Sequence, residues 1–206
     1  MLLLANPAST GAPAIAFAHA QELVRRGHDV HVVHGVAPPG LADLRAELAR
    51  LDCTVTALGR FRLRTGVVRF WQVLRIARRW KPDLVVAAMS ADRTIGVAVA
   101  RLLHVPSLLV LQSRMDWTGQ PFRRIRHRLY RWTVRSATRT LAVADQVAAQ
   151  ALAEFDADPQ RLVVVPLHQQ QILRLQIAVH DPRRVRLPQP AQRLHRVPHR
   201  LRDPEP

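Results

Sequence analysis

Two unbroken apolar runs, LVVAA at 84–88 and SLLVLQS at 107–113, flank a helical pattern, and this arrangement within Lys81–Ser113 most constrains the fold. The first run is bounded by the turn formers Pro82-Asp83 and by the polar Ser90-Ala91-Asp92. A strand without polar alternation is one buried on both faces, the habit of parallel sheets. Between the runs, Ile95, Val99, Leu102 and Leu103 recur at three- and four-residue spacing. They predict one face of a helix N-capped by Asp92, ending near His104 and stopped by Val105-Pro106. Strand, helix and strand joined in this way form a right-handed βαβ unit.

The same pattern extends to both sides. MLLLA reads as a buried strand, NPASTGAP as a loop, and Ala14–Arg26 as a helix followed by Gly27 at a left-handed C-terminal position. The strand DVHVVHG, the amphipathic helix LADLRAELARL at 41–51 and the strand CTVTALG come next. Residues 61–80 predict a loop and then a helix, with Val67, Phe70, Trp71, Leu74 and Ile76 as its apolar set. Beyond residue 113, Pro121 opens a helix, TLAVA is a strand, DQVAAQALAEF is a helix that Asp145 would cap, and RLVVVP is a last strand. Alternating β and α from Met1 to Pro166 predicts an α/β, Rossmann-like, doubly wound and mostly parallel sheet in one domain, 1–166. Residues 167–206 are rich in Arg, Pro and Gln and have no aromatic residue and no glycine, so they are expected to form a basic tail, disordered from about residue 178.

The single cysteine, Cys53, rules out an internal disulfide and points to a reducing, cytoplasmic compartment, with a buried inert thiol expected. The formal net charge is +16, and Lys81 is the only lysine. Arginine suits phosphate recognition, but a GC-rich genome also favours it, so the charge suggests polyanion or anionic-membrane contact without identifying either. No run has the length of a membrane span. Ala18-His19-Ala20 imitates a signal cleavage site, yet no positive charge precedes the apolar part and Asn6, Pro7, Gly11 and Pro13 interrupt it, which argues against secretion.

Two segments carry arginine beside apolar residues. Residues 60–80 hold seven arginines, and in PFRRIRHRLYRWTVRSA the residues Phe122, Ile125, Leu129 and Trp132 share one side. Arg124, Arg128, Arg131 and Arg135 fall at i, i+4, i+7 and i+11 on another, a cationic stripe that suits an anionic membrane or another polyanion. A solvated helix face accounts for such a stripe equally well.

Most catalytic motifs are absent. There is no G-x-G-x-x-G fingerprint, no P-loop and no G-x-S-x-G elbow. His28, His31 and His34 alternate across a strand, so no metal site is expected, and no cofactor is indicated. In open α/β sheets ligands bind beyond the carboxyl ends of the strands. The loops gathered there are Asn6–Pro13, Ser90–Thr94, Gln112–Gln120 and Ala144–Gln146. Gly11 at a helix start suits either a phosphate or sugar hydroxyl or a simple turn, and Arg93 and Arg114 suit an anion or plain surface exposure.

LLLANPASTGAP, QELVRRGHDVHVVHG, KPDLVVAAMS and RSATRTLAVADQVAAQALAEFDADPQRLVVVP, in this order, resemble the amino-terminal domain of family 4 glycosyltransferases, enzymes of the GT-B fold. The resemblance covers Met1 to Pro166. It implies transfer of a sugar from a nucleotide-sugar donor to a glycan or lipid-linked acceptor, with the acceptor held by this domain. It also implies acceptor contacts through Thr10, Gly11, Ser90, Arg93, Gln112 and Arg114. The sequence departs from the family where Leu167-His168-Gln169 replaces the usual Pro-Asn-Gly-Val-Asp, where Asp145 replaces a serine, and where Met89 and Gln112 replace histidines. No second, donor-binding domain follows Pro166, so the expectation is an acceptor-side half, inactive alone, from a truncated or frame-shifted gene or completed by a separately encoded carboxyl-terminal half. The competing expectation is a non-catalytic basic module on anionic membrane or nucleic acid. Nucleic acid is disfavoured, since neither an interleaved aromatic and glycine pattern nor a helix-turn-helix is present.

Overall fold

In the computed structural model, residues 2–4, 12–35, 50–59, 65–88, 90–116 and 122–165 are described, the side chains of 2–4, 12–16 and 90–92 excepted. All belong to the first of two units into which the chain divides, Met1–Arg174 and Leu175–Pro206. The helix expected at 41–51 falls largely outside these residues, and the basic tail expected at 167–206 wholly so.

The elements in chain order are β1 (Leu2–Leu4), α1 (Ala12–Arg25), β2 (His31–His34), β3 (Thr54–Ala57), α2 (Gly66–Trp80), β4 (Val85–Ala87), α3 (Ser90–Leu102), β5 (Ser107–Leu111), α4 (Arg123–Ser136), β6 (Arg139–Ala142), α5 (Asp145–Phe155) and β7 (Leu162–Val164). The seven strands form one sheet in the order β3-β2-β1-β4-β5-β6-β7. Every pairing is parallel. The apolar runs predicted as fully buried strands are so: Val85, Val86 and Ala87 of β4 and Leu109, Val110 and Leu111 of β5 are all buried.

Strand side chains alternate between two layers. Val32, Val86, Val110 and Leu141 pack on the side of Ala20, Phe17 and Leu23 of α1. Val33 and Val85 meet Leu74 of α2 and Ile95 and Val99 of α3 on the other side, where Leu109, Leu111 and Ala142 meet Tyr130, Val147 and Phe155. This division is what right-handed crossovers demand when the chain first winds from β1 towards β3 and then reverses from β4 towards β7. The reversal lies between β1 and β4, and there the carboxyl ends of the strands open a crevice.

Helix ends follow the local chemistry. Gly27 adopts φ 79 and closes α1 with a Schellman pair, Gly27 N–H to the Val24 carbonyl at 2.8 Å and His28 N–H to the Leu23 carbonyl at 3.0 Å. His104, at φ 57, plays the same part for α3.

Three expectations are corrected. Helix α3 begins at Ser90, so Ser90–Thr94 is its first turn and a half, not a loop capped by Asp92. Its buried face runs through Ile95, Val97, Val99 and Ala100, leaving Leu102 exposed. Asp145 is the first residue of α5, after the N-cap Ala144, and makes no side-chain cap bond, so it favours the helix through the dipole alone. Cys53 is half-buried where a fully buried thiol was expected, and burial, with Asp52 beside it, pushes its thiol up from the ordinary value.

Candidate functional site

The first turn of α3 stands at the crevice because β4 ends at Ala87 and only two residues separate it from Ser90. A helix starting so abruptly beyond a central strand directs its N-terminal N–H groups and the positive end of its dipole to the carboxyl edge of the sheet.

Arg93, the fourth residue of this helix, is 3% exposed. One terminal nitrogen donates to the Tyr130 hydroxyl at 2.9 Å and lies 3.8 Å from the Met115 sulfur, and the other reaches the Ala88 carbonyl at 3.4 Å. The guanidinium carbon is 5.9 Å from the centre of the Tyr130 ring. Its Nε has no hydrogen-bond partner, and no carboxylate pairs with the side chain among the described residues. Burial pushes the Tyr130 phenol up from its ordinary value, and the charge of Arg93 and its hydrogen bond oppose that shift.

The ring of Tyr130 stands edge-on to Phe155 of α5 at 4.7 Å. Thr94, next to Arg93, bonds Thr133 of α4 at 2.9 Å. The Thr133 hydroxyl proton is committed to the Leu129 carbonyl at 2.8 Å, so Thr94 is the donor in that pair. The strand-to-helix segment after β5 is fixed from the other side: Met115 N–H donates to Gln150 Oε1 at 2.8 Å, and Gln150 Nε2 donates to the Met115 carbonyl at 2.9 Å.

Of the residues expected at the site, the topology places Ser90, Arg93, Gln112 and Arg114 beyond the ends of the adjacent strands β4 and β5. Arg93, anticipated as a rim residue in a loop, is instead a buried helical one. Gln112 is half-buried at the exit of β5, and Arg114 is exposed. Thr10 and Gly11, which precede α1, lie outside the described residues. Tyr130, Met115 and Gln150 were not anticipated. Their signal was present for Tyr130: Tyr130, Thr133, Val134 and Ala137 follow i, i+3, i+4 and i+7 spacing.

Arg124, Arg128, Arg131 and Arg135 are all exposed on α4. Asp156 accepts from Arg131, with Nε at 2.8 Å, and lies 3.8 Å from Arg135. The apolar residues beside this stripe are exposed too: Phe122 and Ile125 at 62%, Leu129 at 42% and Trp132 at 39%. On α2, Val67, Val68 and Trp71 are exposed, so the apolar set expected to face the sheet is split between Leu74 inward and Val67 and Trp71 outward.

Among the described residues no group of three or more His, Cys, Asp or Glu is placed to hold a metal ion. His31 bonds Thr56 Oγ1 at 2.9 Å and packs edge-on to Trp80, while His34 Nδ1 lies 2.6 Å from the Gly35 carbonyl. No helix among the described residues is long and apolar enough to cross a membrane.

A glycosyltransferase from Rickettsia africae ESF-5 superposes with a TM-score of 0.59 at 14% identity, over 80% of this chain and 42% of that one. Anabaena HepE in complex with UDP-glucose gives 0.55 at 17% identity, over 80% and 43%. UDP-GlcNAc 2-epimerase from Methanocaldococcus jannaschii gives 0.56 at 14%, over 80% and 45%. The chain thus spans less than half the length of these structures, and the likeness establishes one Rossmann-like half of a GT-B fold. No curated protein matches the sequence. The family model for Glycosyltransferase Family 4 matches residues 10–167, most of the chain, and the chain belongs to that family.

Proposed function

We propose that this domain, residues 1–166, is the acceptor-side half of a family 4 glycosyltransferase. A nucleotide-sugar donor held by a second domain would give its sugar to a glycan or lipid-linked acceptor seated on this one. The observation that carries the reading is the placement of Ser90, Arg93, Gln112 and Arg114 beyond β4 and β5, beside the β1/β4 reversal, in a chain matched by the family over residues 10–167. Thr10 and Gly11 would complete the acceptor wall from the β1 side. Departure of a nucleoside diphosphate develops negative charge, and the first turn of α3 offers the positive dipole end that stabilises it. The aligned 42–45% of the related structures supports a need for a donor-binding half, whether linked or separately encoded. The experiment is a chimera joining residues 1–166 to the donor-side half of the Rickettsia africae enzyme. Transfer of labelled sugar to a glycan or lipid fraction by the chimera, and none by either half, is expected. A folded chimera that binds the donor and transfers nothing contradicts the reading.

A second reading concerns location. Phe122, Ile125, Leu129 and Trp132 expose an apolar line adjoining Arg124 and Arg128, the pattern of a helix lying on anionic lipid. This supports a peripheral position at the cytoplasmic face of a membrane, where a lipid-linked acceptor would be at hand. Co-sedimentation with vesicles containing an anionic lipid tests it.

A further inference from the structure

Arg93 carries a charge that nothing around it answers. A guanidinium stays protonated under all ordinary conditions and offers five N–H donors. Here it is 3% exposed, and its partners are a phenol, a carbonyl and a thioether, all neutral. Nε has no partner at all. A buried charge is costly unless a counter-charge and well-formed hydrogen bonds compensate it.

Its position sharpens the point. Arg93 lies in the first turns of a 13-residue helix, where the dipole is positive and favours acids. Two positive features therefore converge at the open edge of the sheet, with no acid among the described residues paired to the guanidinium. Tyr130 braces the fork, itself fixed by Phe155, while Gln150 fixes the backbone of Met115 beside it. A cation held this firmly without a partner is organised for an anion that arrives from outside.

We propose that Arg93 and the N-terminal turn of α3 form a subsite for a phosphate group on the acceptor. The inference rests on the acceptor-side reading and deepens it by giving the acceptor's class, a phosphate-bearing molecule. Phosphate fits both features, because its oxygens accept from a planar fork and from helix N-terminal N–H groups together.

The test is phosphate binding by the full chain at constant ionic strength, with no donor present, so that it stands or falls separately from sugar transfer. Inorganic phosphate is titrated by calorimetry, and the Arg93 Hε resonance is followed in the unmodified protein. Saturable 1:1 binding that moves this resonance is expected, at least tenfold weaker in Arg93→Gln, intermediate in Arg93→Lys and within twofold of normal in Arg128→Gln. A short-chain phosphatidic acid, as the lipid arm, is expected to compete with phosphate if the natural group is a lipid phosphate, whereas glycerol 3-phosphate alone competing assigns a soluble ester. Equal affinity in Arg93→Gln would place the anion on the surface arginines and overturn the proposal. So would an Arg93 Hε resonance that does not move, a result that holds even if the variants fail to fold.

Discussion

The carboxamide of Gln150, on α5, grips both polar groups of Met115: it accepts from the Met115 N–H at 2.8 Å and donates to the Met115 carbonyl at 2.9 Å. This pair fixes the segment leaving β5 and thereby the sulfur against Arg93. Gln150→Leu removes both bonds while keeping the volume, leaving two backbone groups unpaired at a cost of about 1–3 kcal/mol. Urea unfolding is expected to show that loss, and hydrogen exchange at the Met115 amide to quicken.

Gly27 tests the closure of α1. Nothing lies within 4 Å of a Cβ added there, so the cost of Gly27→Ala is conformational, from holding an L-residue at φ 79. A loss of about 1 kcal/mol in thermal or urea unfolding is expected, with Gly27→Asn milder because Asn tolerates the left-handed region.

His19 and His31 set the acid response. Burial holds both below the ordinary imidazole value of 6.5. Above pH 6.5 they are neutral in both folded and unfolded chains, and their contribution is constant. As pH falls from 6.5 the unfolded chain takes up protons first, so stability declines. The urea midpoint is expected to be lower at pH 5.5 than at pH 8, and His31→Gln to reduce that difference.

The four stripe arginines are not equivalent on lipid. Arg131 and Arg135 already face Asp156, whereas Arg124 and Arg128 have no ion pair among the described residues. Each free cation near an anionic surface contributes about 1 kcal/mol. Arg124→Gln or Arg128→Gln is therefore expected to weaken vesicle partitioning about fivefold, Arg131→Gln less, and Ile125→Glu most, by tenfold or more.

The sheet was legible in the sequence because β4 and β5 are short, uniformly apolar runs, a pattern only two-sided burial explains. Gly27 and the Val105-Pro106 stop were legible because they act on backbone geometry alone. The face of α4 was not. Phe122, Ile125, Leu129 and Trp132 form the more hydrophobic line, but the less hydrophobic Tyr130, Thr133 and Val134 face inward. Tyr130 meets Arg93 and Thr133 meets Thr94, contacts spanning 37 and 39 residues that periodicity along one helix cannot register. Arg93 was picked out for its place near the strand ends, yet its burial depended on that partner from α4 and stayed invisible for the same reason.

The central claim is that this chain supplies the acceptor wall and not the donor site. Calorimetric titration of the 206-residue chain with UDP-glucose, UDP-GlcNAc and GDP-mannose, followed by assay for nucleotide release, tests it most directly. No saturable binding and no release are expected from the chain alone. Saturable 1:1 binding of any of the three, accompanied by turnover, would contradict the account.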